Sequence, residues 1–188
     1  MALYRLRNAP RSVKLAALLF LLVLGYAYVF AFLMVKTWAG LSPAAVNATY
    51  APAAPMDTMA MGQQSTSTMQ PVDLSRVPEM KHTVDTALLI QDSHIHIMIF
   101  ALIAGLEALI IFGLDWRPLW RNLAILGAFG FGMLDFAGQW LMKAGISGFA
   151  WLTIASGWGM SLVYLAILLG TLWAVTRSPA SPHTRSSS

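Results

Sequence analysis

The sequence predicts an all-α membrane protein, an antiparallel four-helix transmembrane bundle with both termini cytoplasmic and one long external loop between the first two helices. Three observations predict it. Only 11% of the residues are charged against 57% hydrophobic, whereas soluble domains carry about a quarter charged residues. Four apolar runs near or above 20 residues recur along the chain, each long enough to cross a hydrocarbon core of about 30 Å. The connections alternate in charge, as they do when cytoplasmic segments hold the Lys and Arg. A cytosolic enzyme is excluded. Nucleic acid is also excluded as a partner, because the net charge of +4 is explained by membrane topology and no folded basic patch is evident.

The elements follow in order. Residues 1–14 form a basic cytoplasmic N-terminus carrying Arg5, Arg7, Arg11 and Lys14. Residues 15–38, LAALLFLLVLGYAYVFAFLMVKTW, make the first transmembrane helix, about 35 Å long. This run exceeds a signal-peptide core of roughly 7 to 15 residues, and no convincing cleavage site follows closely, so it reads as a retained anchor. Residues 39–92 are the external loop, where Asp57, Asp73, Glu79, Asp85 and Asp92 outnumber Arg76 and Lys81. Within it, residues 41–71 are rich in Ala, Pro, Ser, Thr, Gln and Met, a composition that cannot bury a core and is expected to be flexible. The stretch VDTALLIQ is either a short interfacial helix or an extension of the second span.

Residues 93–175 hold the second to fourth transmembrane helices, over roughly 93–114, 122–142 and 149–175. Their short links make them antiparallel neighbours. Arg117 and Arg121 in one link, and Arg177 and Arg185 in the disordered cytoplasmic tail of residues 176–188, place these segments beside the N-terminus. Trp38, Trp116, Trp120, Trp140, Trp151 and Trp173 fall near span ends, where interfacial aromatics belong. Placement in a membrane, as a multi-pass protein in contact with the lipid bilayer, follows from this pattern; the bacterial inner membrane is what the family resemblance given below implies.

The residues that can carry chemistry are few. Glu107 in the second span and Asp135 in the third are the acidic side chains inside the membrane on this map, about 21 Å and 12 Å from the external boundary. Each is costly to place there, which makes it a candidate proton relay or a buried polar contact that holds helices together. Gln139 shares a face with Asp135, and a ridge of Thr153, Gly157 and Ser161 is expected to pack against both. His94 and His96 open the second span. On a regular helix they point about 160° apart, so both can bind one ion only if the helix is frayed there or begins at His96. His96 shares a stripe with Phe100, Ile103 and Glu107.

The chain has no cysteine, which excludes thiolate metal sites and the Cys-x-x-Cys-His attachment of c-type haem. Two metal readings are left. A haem b would take an axial ligand from His94 or His96 and a second from His82, Met34, Met142 or another subunit. Alternatively, Met56, Met59 and Met61 in the external loop present thioethers, which select Cu(I), to be passed to the histidines. No nucleophile elbow, P-loop or dinucleotide fingerprint is present, so no catalytic residue is singled out.

The motifs Ser93-His94-Ile95-His96, Leu134-Asp135, Trp140-Leu141-x-Lys143, Phe149-Ala150-Trp151-Leu152-Thr153-Ile154, Gly157 and Leu172-Trp173 resemble a family of small four-span bacterial inner-membrane proteins, often mislabelled as a translation elongation factor. The likeness covers residues 93–173, less than half of the chain. It implies the four-span layout, an association with periplasmic electron transfer, and His94, His96 and Asp135 as shared residues. Family members commonly carry a c-type haem motif in the external segment, which this sequence lacks. The function expected is therefore an inner-membrane accessory subunit associated with electron transfer, binding haem b or a metal at the external mouth. Its partners would be other membrane subunits or a periplasmic redox protein. The alternatives are a copper-handling membrane protein and a purely structural or assembly subunit.

Overall fold

The computed structural model describes residues 4–52 and 83–177. Local sequence signals account for where its helices start and stop. After a 3-10 turn at Leu6–Asn8, Pro10 precedes α1 (Arg11–Trp38), and Gly40, at φ +73°, turns the chain out of it. Ser42 caps α2 (Pro43–Tyr50) by accepting from the Ala45 amide at 3.2 Å, with Pro43 at the first helical position. Asp85 caps α3 (Thr86–Gly113) by accepting from the Leu88 amide at 2.7 Å. Pro118 opens α4 (Pro118–Lys143). Before α5 (Ala150–Thr176), Gly145 and Gly148 adopt φ +83° and +98°, a region that side chains disfavour.

The long helices α1, α3, α4 and α5 are each long and apolar enough to span a membrane, and no strand occurs among the described residues. The protein is thus an all-helical bundle of four candidate spans. One alternative left open by the sequence, that VDTALLIQ extends the second span, holds, and one expectation is corrected. The helix of the second span starts at Thr86 rather than near residue 93, so VDTALLIQ extends that span, with Asp85 supplying the cap. Within the stretch expected to be flexible, α2 forms instead. It succeeds there because the Ser42-Pro43 pair starts a helix and Val46 is buried against Met142 and Ala150, with Tyr50 and Phe149 around them. The Val84 amide then donates to the Thr49 carbonyl at 2.9 Å, and Lys143 Nζ donates to the Val84 carbonyl. His82, Met56, Met59 and Met61 lie outside the described residues.

Small residues set the packing of α4 on α5. A methyl group at Gly127 would strike Val163, one at Gly159 would strike Phe131, and one at Gly138 would strike Thr153 Oγ1 and the Phe149 carbonyl. Close approach of this kind is how helices associate where lipid is as apolar as the side chains. An apolar cluster of Leu21, Ile110, Ile111, Ala124 and Ile167 joins all four spans. The contact of α1 with α5 includes Gly25 beneath the Tyr164 hydroxyl, which donates to the Leu21 carbonyl at 2.8 Å. Leu22, Val23, Tyr26 and Phe30 of α1 stay exposed, a surface suited to lipid. At the end holding the N-terminus, the Tyr4 hydroxyl donates to the Leu109 carbonyl at 3.0 Å and Arg5 pairs with Asp115 at 3.5 Å.

Candidate functional site

At the opposite end of the bundle, α2, α3 and α4 bring a polar group together around His96. Because α3 starts at Thr86, Asp92 and His96 lie one turn apart on a regular helix. The His96 Nδ1 sits 3.0 Å from the Asp92 carbonyl oxygen and 2.9 Å from its Oδ1. Both oxygens only accept, so Nδ1 carries the proton, and in the neutral ring Nε2 keeps its lone pair. The ring stands 6.4 Å from that of Phe136, which meets Phe100 edge-on at 5.9 Å.

Half-buried Asp135 accepts from Gln139 Nε2 at 3.0 Å and lies within electrostatic reach of both Asp92 and His96. Gln139 is buried and its Oε1 has no hydrogen-bond partner. Next to Gln139 on α4, Trp140 Nε1 donates to the buried Ser93 hydroxyl at 3.0 Å, stitching α4 to α3. On α2, burial and then the carboxylates of Asp135 and Asp92 push the Tyr50 phenol up to about 12. Tyr50, Asp92, His96, Asp135 and Gln139 therefore form one polar site on three elements.

The other sequence candidates are not gathered here. His94 is exposed, and the helix is regular through both histidines, so the two diverge rather than converge. Met34 is exposed on α1, whereas Met142 is 1% exposed and packed among Val46 and Ala150 instead of being presented to a ligand. Among the described residues no group of three His, Cys, Asp or Glu is placed to hold a metal ion. The donor set thus fits one ligand of a haem or metal, His96, and not a complete coordination sphere. Of the small-residue ridge on α5, Thr153 meets α4 at Gly138, while Ser161 turns back to its own helix and donates to the Gly157 carbonyl at 2.9 Å.

Glu107 belongs to a second, deeper group. It is 4% exposed, its Oε1 has no hydrogen-bond partner, and it interacts electrostatically with Tyr28 of α1 and Tyr164 of α5. The two tyrosine rings lie 5.0 Å apart. Sequence reasoning missed Tyr28, Tyr50, Asp92 and Tyr164. The available signals were the Asp92/His96 spacing, masked by starting the helix too late, and two tyrosines placed well inside apolar runs.

Apolar spans, an exposed hydrocarbon-like surface and buried carboxylates define the class: a multi-span helical membrane protein. A family model described as a transmembrane helical domain (Aq_1264_TM) matches residues 40–182, and the chain belongs to that family. The match takes in α2 to α5 and leaves out α1. No curated protein and no solved structure matches the chain.

Proposed function

We propose that the protein is an accessory subunit of a bacterial inner-membrane electron-transfer system, with both termini cytoplasmic and His96 anchoring a haem b or metal ion at the external end. The observation that carries this reading is the pinned Nδ1 of His96. Metal-ligating histidines almost always donate their other N–H to a carboxylate or carbonyl, which orients the ring and raises its basicity. Here Asp92 offers both acceptors. Such a group, when bound, supplies one-electron chemistry.

The rest of the site would serve it by proton handling. Asp135, held by Gln139 and facing His96, is placed to take up or return a proton as the charge beside it changes. The remaining ligands would come from His82, from another membrane subunit or from a periplasmic redox protein. The likeness to the Ser-His-Ile-His family supports the electron-transfer association. Its other shared histidine, His94, has no part in this site.

Elemental analysis and reduced-minus-oxidised spectra of the detergent-purified protein test the proposal. Iron near one per chain is expected, with the spectrum lost in His96→Ala and kept in His94→Ala. Equal loss in both variants, or no metal in folded wild-type protein, overturns it and leaves a structural subunit. Copper in place of iron would also overturn the haem reading and favour capture by Met56, Met59 and Met61.

A further inference from the structure

A groove of about 650 Å³ runs between α4 and α5 at the end of the bundle that holds the N-terminus, remote from His96. Its mouth is lined by Asp115, Trp116, Arg117 and Trp120, and its depth by Leu123, Ala124, Leu162, Val163 and Ala166. The polar mouth carries a surplus of positive charge. Asp115 is taken by Arg5 at 3.5 Å, whereas Arg117 has no ion-pair partner among the described residues. Arg117 is also the N-cap of α4, and no side chain caps that helix. The first-turn amides after Pro118 thus lie at the positive end of the helix dipole, and Arg117 directly precedes them in the chain.

We propose that this groove binds one anionic phospholipid. The headgroup phosphate sits on Arg117 and the uncapped first turn of α4. Trp116 and Trp120 lie at headgroup level, and an acyl chain follows Leu123, Ala124, Leu162 and Ala166 into the bilayer. Each part of the groove matches one part of that ligand. Arginine and a helix N-terminus both favour phosphate, indoles settle at the membrane interface, and the deeper lining is wholly apolar.

Native mass spectrometry of the full chain in detergent tests this, with phosphatidylglycerol and phosphatidylcholine as probes. The expected result is a single retained phosphatidylglycerol, preferred over phosphatidylcholine at least tenfold. That preference should fall to near unity in Arg117→Gln and be partly kept in Arg117→Lys. Ala166→Leu, which adds bulk on an exposed position in the groove, should weaken retention while leaving helix content by circular dichroism unchanged. Arg11→Gln, outside the groove, should bind as the wild type does. Equal binding of the two lipids, or unchanged preference in Arg117→Gln, overturns the proposal. So does a lipid-free dimer that Ala166→Leu splits, since the groove would then belong to a second copy.

Discussion

A histidine ring held at one nitrogen by both a carbonyl and a carboxylate keeps its orientation only while both acceptors remain, and Asp92 supplies them from one residue. Asp92→Ala retains the carbonyl and loses the carboxylate. Retention of a haem or metal at His96 is then expected to weaken by about 10- to 100-fold, the usual effect of losing such a support, with helix content unchanged. Titrating the purified variant with haem or metal checks this. Tyr50 gives a second readout of the same site. Its folded value is raised to about 12 from an ordinary value of about 10, so the fold favours the protonated phenol. That contribution is fully present below about pH 10 and is lost as pH rises to about 12. The 295 nm absorbance of the wild type minus Tyr50→Phe should show this ionisation late; a midpoint at the ordinary value would contradict it. At Glu107 the buried, unpaired Oε1 is a cost carried by the fold. Glu107→Met is expected to raise the melting temperature in detergent, since an unsatisfied buried polar atom costs about 1–3 kcal/mol. Glu107, Asp135 and His96 could be picked out as candidates because a charge or imidazole in an apolar run stands out. Their partners were not, because a tyrosine in a span looks like any other apolar residue until the neighbouring helices are in place.

Between helices, the spacing of small residues sets how closely backbones meet. Gly138→Ala would drive a methyl into Thr153 Oγ1 and the Phe149 carbonyl, while Gly130→Ala would meet open space. The first is expected to lower stability by about 1–3 kcal/mol, as overpacking does. The second should be neutral or stabilising by up to about 1 kcal/mol, from helix propensity alone. Thermal unfolding of the two variants side by side checks the pair. The spans themselves were legible from hydropathy, and their order from the short links. The helix α2 was not, because its composition speaks against a core and its single buried anchor, Val46, gains a partner only once Met142 and Ala150 arrive from α4 and α5. The true start of α3 was hidden for a related reason: the polar Gln91, Asp92 and Ser93 interrupt its apolar run, yet Asp85 caps a helix that passes straight through them.

Across the whole molecule, α1 stands apart from the rest. The family match begins at residue 40, and α1 leaves much of its surface exposed. The proposed orientation, with both termini cytoplasmic, can be read directly because the chain has no cysteine. Single cysteines at Asn8, Leu41, Asn122 and Ile146 would each be a unique label. In intact cells with a permeabilised outer membrane, an impermeant maleimide should reach positions 41 and 146 and spare 8 and 122. The reverse pattern would invert the protein and move the His96 site to the cytoplasm.

The clamp on the N-terminal segment also constrains the order of assembly. Tyr4 is held by the carbonyl of Leu109, 105 residues further along, and Arg5 by Asp115. During synthesis at roughly 5–20 residues per second, the first span would wait about 5–20 s before those partners exist. Until then this contact between the N-terminal segment and α3 cannot form. The leading residues can thus fasten onto the end of α3 before α4 and α5 are made, and a bulky tag fused before Tyr4 should disturb this early pairing more than the same tag placed after Arg177.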